Sequence, residues 1–91
     1  MMRVKCPCCG NYTHQVSEEQ MSSHHIFEIC AVCFWQYDWP AHKEPDINRG
    51  ANHISLNEAI DNYEKYGACK KEFMYWVRPP RPEELPENNS Q

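Results

Sequence analysis

The chain has 91 residues, a net charge of −4, an apolar fraction of 41% and a charged fraction of 24%, the composition of an ordinary soluble globular chain. No 18 apolar residues run together, and the opening "MMRVKCPCCG" lacks the apolar core of a signal peptide, which argues against a membrane-spanning helix and against secretion. A cytoplasmic location is therefore expected. Thiols stay reduced there, so the six cysteines point to metal or redox chemistry, the help that a domain of this size often needs.

The first element is a turn. "VKCPCCGN" holds Cys6 and Cys9 at C-x2-C spacing, with Pro7 fixing its own backbone angle and Gly10 free to take the positive φ that closes a tight turn. If Cys6 and Cys9 both point at a metal, Cys8 points elsewhere and reads first as a small apolar residue on the turn; a ligand swap with Cys9 and a reactive sensor thiol are the other readings. "YTHQV" is expected as a strand, "SEEQMSSH" as a polar loop, and "HIFEI" as a second strand with Phe27 and Ile29 on one face. "EICAVCFW" repeats the spacing with Cys30 and Cys33, although Phe34 stands where the first turn has glycine. The whole is C-x2-C-x20-C-x2-C, within the range of a four-thiolate zinc site. Two such turns complete the tetrahedral shell that Zn2+ prefers, and iron in a rubredoxin-like site is the other metal this donor set takes. Cys6, Cys9, Cys30 and Cys33 are the expected ligands. His14, His24 and His25 lie between the pairs, but four well-spaced cysteines make a histidine ligand unnecessary. Residues 1–37 thus read as a zinc ribbon, two hairpins carrying the cysteine pairs at their tips.

Residues 38–54 form an aromatic and polar loop. The run Phe34, Trp35, Tyr37 and Trp39 is dense for a chain with eleven aromatics, and it reads first as core over the cysteine turns. One or two of its rings, Trp35 or Trp39, are the candidates for an exposed partner-binding anchor. Pro40 and Pro45 exclude a long helix here. In "DINRGANH", Asp46, Asn48 and Asn52 read as side chains that order a turn. "SLNEAIDNYEKYG", residues 55–67, is the clearest helix: Ser55 and Glu58 make a capping box, Leu56, Ala59, Ile60 and Tyr63 recur at helical spacing, and Gly67 closes it. Cys69 reads as a buried spacer. "KEFMYWV", residues 71–77, fits a last helical turn or an edge strand, and "RPPRPEELPENNSQ", residues 78–91, reads as a disordered proline-rich tail. The expected fold is a small metal-stabilised α+β domain over residues 1–77, with zinc-ribbon or rubredoxin-like hairpins and one amphipathic helix across them.

"CPCCG", "EICAVCFWQYD", "GANHISLNEAIDNYEKYGA" and "VRPP", in that order, resemble the bacterial cysteine-rich CPCC domain family over roughly residues 5–82. The positions that carry the resemblance include Cys6, Cys8, Cys9, Gly10, Cys30, Cys33, Trp35, Asp38, Ser55 and Gly67; Ala31 departs from it, standing where the family has proline. The resemblance implies a small metal-binding bacterial domain and supplies no activity.

Four thiolates close a zinc shell and leave no position for water or substrate, so the expected function is a non-enzymatic protein-binding module. Nucleic acid is disfavoured: nine basic residues are scattered against thirteen acidic ones, and affinity for phosphate rests on clustered Lys and Arg. An inhibitor or antidote that covers a basic surface on a toxin or enzyme is a second reading. A thiol–disulfide redox protein is the third, since Cys6-Pro7-Cys8-Cys9 resembles an oxidoreductase motif; no helix is expected over residues 10–25 to activate its thiolate.

Overall fold

A computed structural model of the chain describes residues 2–23, 28–48 and 50–89. Strand β1, Met2–Val4, pairs antiparallel with β2, His14–Val16, in the register Met2↔Val16, Arg3↔Gln15 and Val4↔His14. The Cys6–Cys9 turn is the tip of this hairpin. Along β2 burial alternates, with His14 and Val16 inside and Gln15 outside, as a half-buried strand requires. The first strand expected from the sequence is therefore present, but its partner is the chain start.

The segment expected as a polar loop contains a helix, α1, Glu18–Ser23. Gln20 N–H donates to Ser17 Oγ at 3.2 Å, and Ser17 N–H donates to the Gln20 side-chain oxygen at 2.9 Å. This reciprocal box is written in the sequence as S-x-x-Q. His24, His25, Ile26 and Phe27 lie outside the described residues, and with them most of the second predicted strand. Beyond them the chain forms a narrow hairpin: Tyr37 N–H donates to Glu28 C=O at 2.9 Å, Ile29 and Gln36 form an isolated antiparallel bridge, and Cys30–Cys33 make the tip. Its free edge is capped by a side chain instead of a strand. Asn52 accepts from Gln36 N–H at 2.9 Å and donates to Gln36 C=O at 2.8 Å.

The aromatic loop holds one short helix, α2, Trp39–Lys43, started by Asp38 as N-cap with Pro40 in its first turn. Among the polar residues beyond it, Asn52 does order the chain, and Asp46 accepts from the side chain of Asn57. Helix α3 runs Leu56–Tyr66, between N-cap Ser55 and Gly67 at φ 74°, as the capping signals require. Leu56 and Ala59 are buried against Cys6, Cys8, Cys30, Cys33 and Trp35, with Ile60 and Tyr63 packed at the margin. One helix thus lies over the cysteine turns, and the core of the domain is this contact.

Of the two states expected for residues 71–77, the helical turn is present and the edge strand is not. A single 3-10 turn, Lys71–Phe73, leads into an exposed bend at Met74–Trp76. The expectation of a disordered tail is also corrected. Prolines preset 3-10 turns at Pro82–Glu84 and Pro86–Asn88, and residues 78–89 fold back on the first hairpin. Tyr12 N–H donates to Glu84 C=O at 2.7 Å, and Arg3 donates to Glu83 C=O at 2.6 Å. The carboxylate of Glu84 takes a two-pronged contact from Arg78, both bonds 2.8 Å, and accepts from Arg81 N–H. Together these hold its pKa down, at about 2, with Arg78 the main cause. No helix among the described residues is long and apolar enough to cross a membrane.

Candidate metal centre

The two cysteine turns have the same backbone. In the first, Gly10 N–H donates to Cys6 C=O at 2.9 Å and Cys6 N–H to Asn11 C=O at 2.8 Å. In the second, Phe34 N–H donates to Cys30 C=O at 2.8 Å and Cys30 N–H to Trp35 C=O at 2.9 Å. Each turn is closed by a residue of positive φ straight after its second cysteine, 80° at Gly10 and 70° at Phe34. Glycine takes this conformation without cost, whereas phenylalanine is strained in it. Packing offsets the strain: the Phe34 ring lies 4.7 Å from that of Phe73. The second turn therefore lacks the glycine, not the geometry.

These paired turns bring the sulfurs of Cys6, Cys9, Cys30 and Cys33 within 4.8 Å of one another. Cys6 and Cys33 approach to 3.6 Å, Cys9 and Cys30 to 3.7 Å. A tetrahedron with metal–sulfur bonds of about 2.3 Å has edges of about 3.8 Å, so these two pairs stand at the separation of opposite edges. Three of the four are buried, and Cys9 is half-buried at the rim. The donor set is all sulfur, which suits Zn2+ or iron and not Mg2+ or Ca2+.

The Cys30 thiol is held far below its ordinary pKa by hydrogen bonds from Cys33, Cys6 and Cys9, and further by Thr13 Oγ1, which donates to its sulfur at 2.9 Å. Cys33 is pushed up, chiefly by its neighbour Cys30. A cation at the centre relieves both, because it stabilises four thiolates at once. Thr13 is a positioning residue that the sequence did not single out; only its place in the fold puts it beside Cys30.

Cys8 lies outside the four-sulfur group, buried in the core with Cys69. Burial first, and then the nearby Cys8, push the Cys69 thiol up to about 12, an inert sulfur. Cys69 also ties α3's exit to the second turn, its N–H donating to Cys33 C=O at 2.7 Å. His14 is buried but stands outside the sulfur group, with neither ring nitrogen hydrogen-bonded and its pKa lowered by burial. His24 and His25 lie outside the described residues. Strand β2 comes after the first turn, and α1 begins nine residues after Cys9. Among the described residues no helix begins at Cys6 or Cys9.

The expected anchors are placed differently from one another. Trp35 is 0% exposed, in the same core as the cysteines, so its reading as a solvent-facing anchor is corrected. Trp39 is half-buried on α2, its ring 5.4 Å from His42 and 6.0 Å from the Lys43 ammonium. Among the described residues the rings most open to solvent are Tyr75 and Trp76, with Tyr66 exposed to a lesser degree. The sequence signal, "MYW" after "KKEF", was an apolar run with no direction attached.

The sequence model of the family described as cysteine-rich CPCC matches residues 4–84. No curated protein and no solved structure matches the chain.

Proposed function

Because the chain belongs to the cysteine-rich CPCC family, we propose that Cys6, Cys9, Cys30 and Cys33 hold one structural zinc ion and that the domain around it acts by binding another protein, without turnover. The observation that carries this reading is the four-sulfur cluster itself, with two opposite pairs at tetrahedral separation in the main core. Four thiolates satisfy a zinc ion completely, whereas a catalytic zinc keeps one position for water. The site's task is then to link two hairpin tips and α3 in a domain whose described residues form one three-residue β ladder. In model peptides such a site supplies on the order of 10–16 kcal/mol. The thiolates it needs belong in a reducing compartment such as the cytoplasm. The absence of a helix beginning at Cys6 or Cys9 weighs against disulfide exchange.

Elemental analysis of the purified chain tests the site: close to one zinc per chain is expected, with no visible absorption. A red chain would mean iron instead. Cys30→Ser should lose the metal and unfold, and a folded, metal-free chain would overturn the structural role. Purification with a partner protein, and no hydrolysis or turnover of a model disulfide, are the expected functional results.

A further inference from the structure

Six large apolar side chains are exposed among the described residues, and four of them, Tyr66, Met74, Tyr75 and Trp76, lie between the end of α3 and the bend beyond it. Tyr75 is 88% exposed and Trp76 73%. Exposed apolar residues are usually scattered singly, and an aggregate of them marks an interaction site. The bend that presents them is fixed. Phe73 N–H donates to Lys70 C=O at 3.0 Å, Trp76 N–H to Phe73 C=O at 2.9 Å, and Arg78 N–H to Ala31 C=O at 3.2 Å, tying the bend to the second cysteine turn. Rings held out by an ordered backbone bind with little further loss of freedom.

Beside the bend, Phe73 closes a shallow cleft walled by Ile29 and Phe34, with Lys70 and His53 also lining it. His53 has positive φ, 60°, a conformation that non-glycine residues seldom adopt and that recurs at binding sites. The ammonium of Lys70 stands 5.6 Å from the Phe73 ring, and that of Lys71 5.8 Å from the Tyr66 ring.

Charge is divided in the same way as exposure. Residues 70–81 hold four basic residues and one acidic, a net +3, while the other five basic and twelve acidic residues leave −7 on the remainder. Arg78 is engaged with Glu84, which leaves Lys70, Lys71 and Arg81 as the other cations of this segment.

We propose that the Met74–Trp76 bend and the adjoining cleft are the docking site for a short acidic segment of a partner protein, one that carries a bulky apolar side chain among aspartates or glutamates. The inference rests on the protein-binding reading above and names its surface and the chemistry of the partner. The apolar side chain enters between Ile29, Phe34 and Phe73, Tyr75 and Trp76 cover it, and carboxylates meet the lysines. Tyrosine, tryptophan and charged groups around a desolvated centre are what binding hot spots use. A short segment meets only the basic patch. A long phosphate backbone or an anionic bilayer would also face the acidic remainder of a body 31 × 28 × 21 Å across, much of it within two or three Debye lengths, roughly 8 Å each at physiological salt.

The test is selection of displayed random peptides on the full metal-loaded chain, followed by titration of the enriched peptides. Enrichment of acidic sequences with an aromatic or large aliphatic residue is expected, with affinity falling as salt rises. Trp76→Ser should weaken the selected peptides by about 30-fold, the threshold of a hot spot. Lys70→Glu with Lys71→Glu should remove the preference for acidic sequences. Metal content and melting temperature should be unchanged in both; if Trp76→Ser lowers either, Tyr75→Ser is read in its place. Peptides without acidic excess, or peptides bound equally by the tryptophan and tyrosine variants, would overturn this surface while leaving a protein-binding module standing. A metal-loaded chain that binds no peptide and no protein overturns both. Trp76-dependent binding of phosphatidylserine vesicles or of oligothymidine in preference to peptide would overturn the choice of partner.

Discussion

Gly10→Ala isolates the conformational requirement of a cysteine turn. The turn needs positive φ directly after its second cysteine, and Gly10 supplies 80°. A Cβ added there meets nothing nearer than Lys5 Cε at 3.8 Å, so no clash contributes. What remains is the cost of placing an L-residue in the left-handed region, roughly 1–2 kcal/mol. If folding is linked to metal binding, the same free energy appears as an apparent metal affinity weaker by about 5- to 30-fold. Competition against a chromophoric chelator reads the affinity, and urea unfolding of the metal-loaded chain reads the stability. Gly50→Ala is the contrast. Its φ is 105°, and its Cβ would overlap the carboxylate of Asp38, the N-cap of α2, so its loss should exceed that of Gly10→Ala. An unchanged affinity and midpoint in Gly10→Ala would refute the requirement for positive φ in the first turn. A loss above roughly 4 kcal/mol would mean that a hidden clash, not backbone strain, governs the site.

Cys8→Ser should keep its metal, since Cys8 lies outside the sulfur group, whereas Cys9→Ser should lose it; elemental analysis giving the reverse would shift the ligand assignment by one residue. Ser55→Ala removes the acceptor of Glu58 N–H, 3.1 Å away, and should destabilise by roughly 1 kcal/mol without changing the metal content, as read by urea unfolding. Glu84, held at about 2 by Arg78, contributes stability that is fully present above the ordinary carboxylate value and is lost as pH falls through its depressed one. Its side-chain carboxyl resonance should show no titration step near the ordinary glutamate value of roughly 4.3; a step there would mean that the ion pair with Arg78 does not form in solution.

The features legible from the sequence were those set by neighbours along the chain. Helix α3 begins and ends where Ser55 and Gly67 require, because capping bonds span three or four residues. The cysteine grouping was legible for the same reason: a C-x2-C turn is local, and two turns at the right spacing can share one point. The S-x-x-Q start of α1 was equally local and went unread behind polar composition. Contacts across long separations depended on tertiary structure. Nothing in "MRV" announces that it pairs with His14–Val16, and nothing in a proline-rich tail announces that Glu84 will meet Arg78 and the backbone of Tyr12. The aromatic residues make the point most sharply. Trp35 and Trp76 are the same side chain in similarly apolar surroundings, and local propensity cannot tell them apart. Trp35 is buried because the second cysteine turn and α3 close over it. Trp76 is left in solvent because the chain turns at Lys71–Phe73 and is held at Ala31, so only Phe73 of that segment reaches the core.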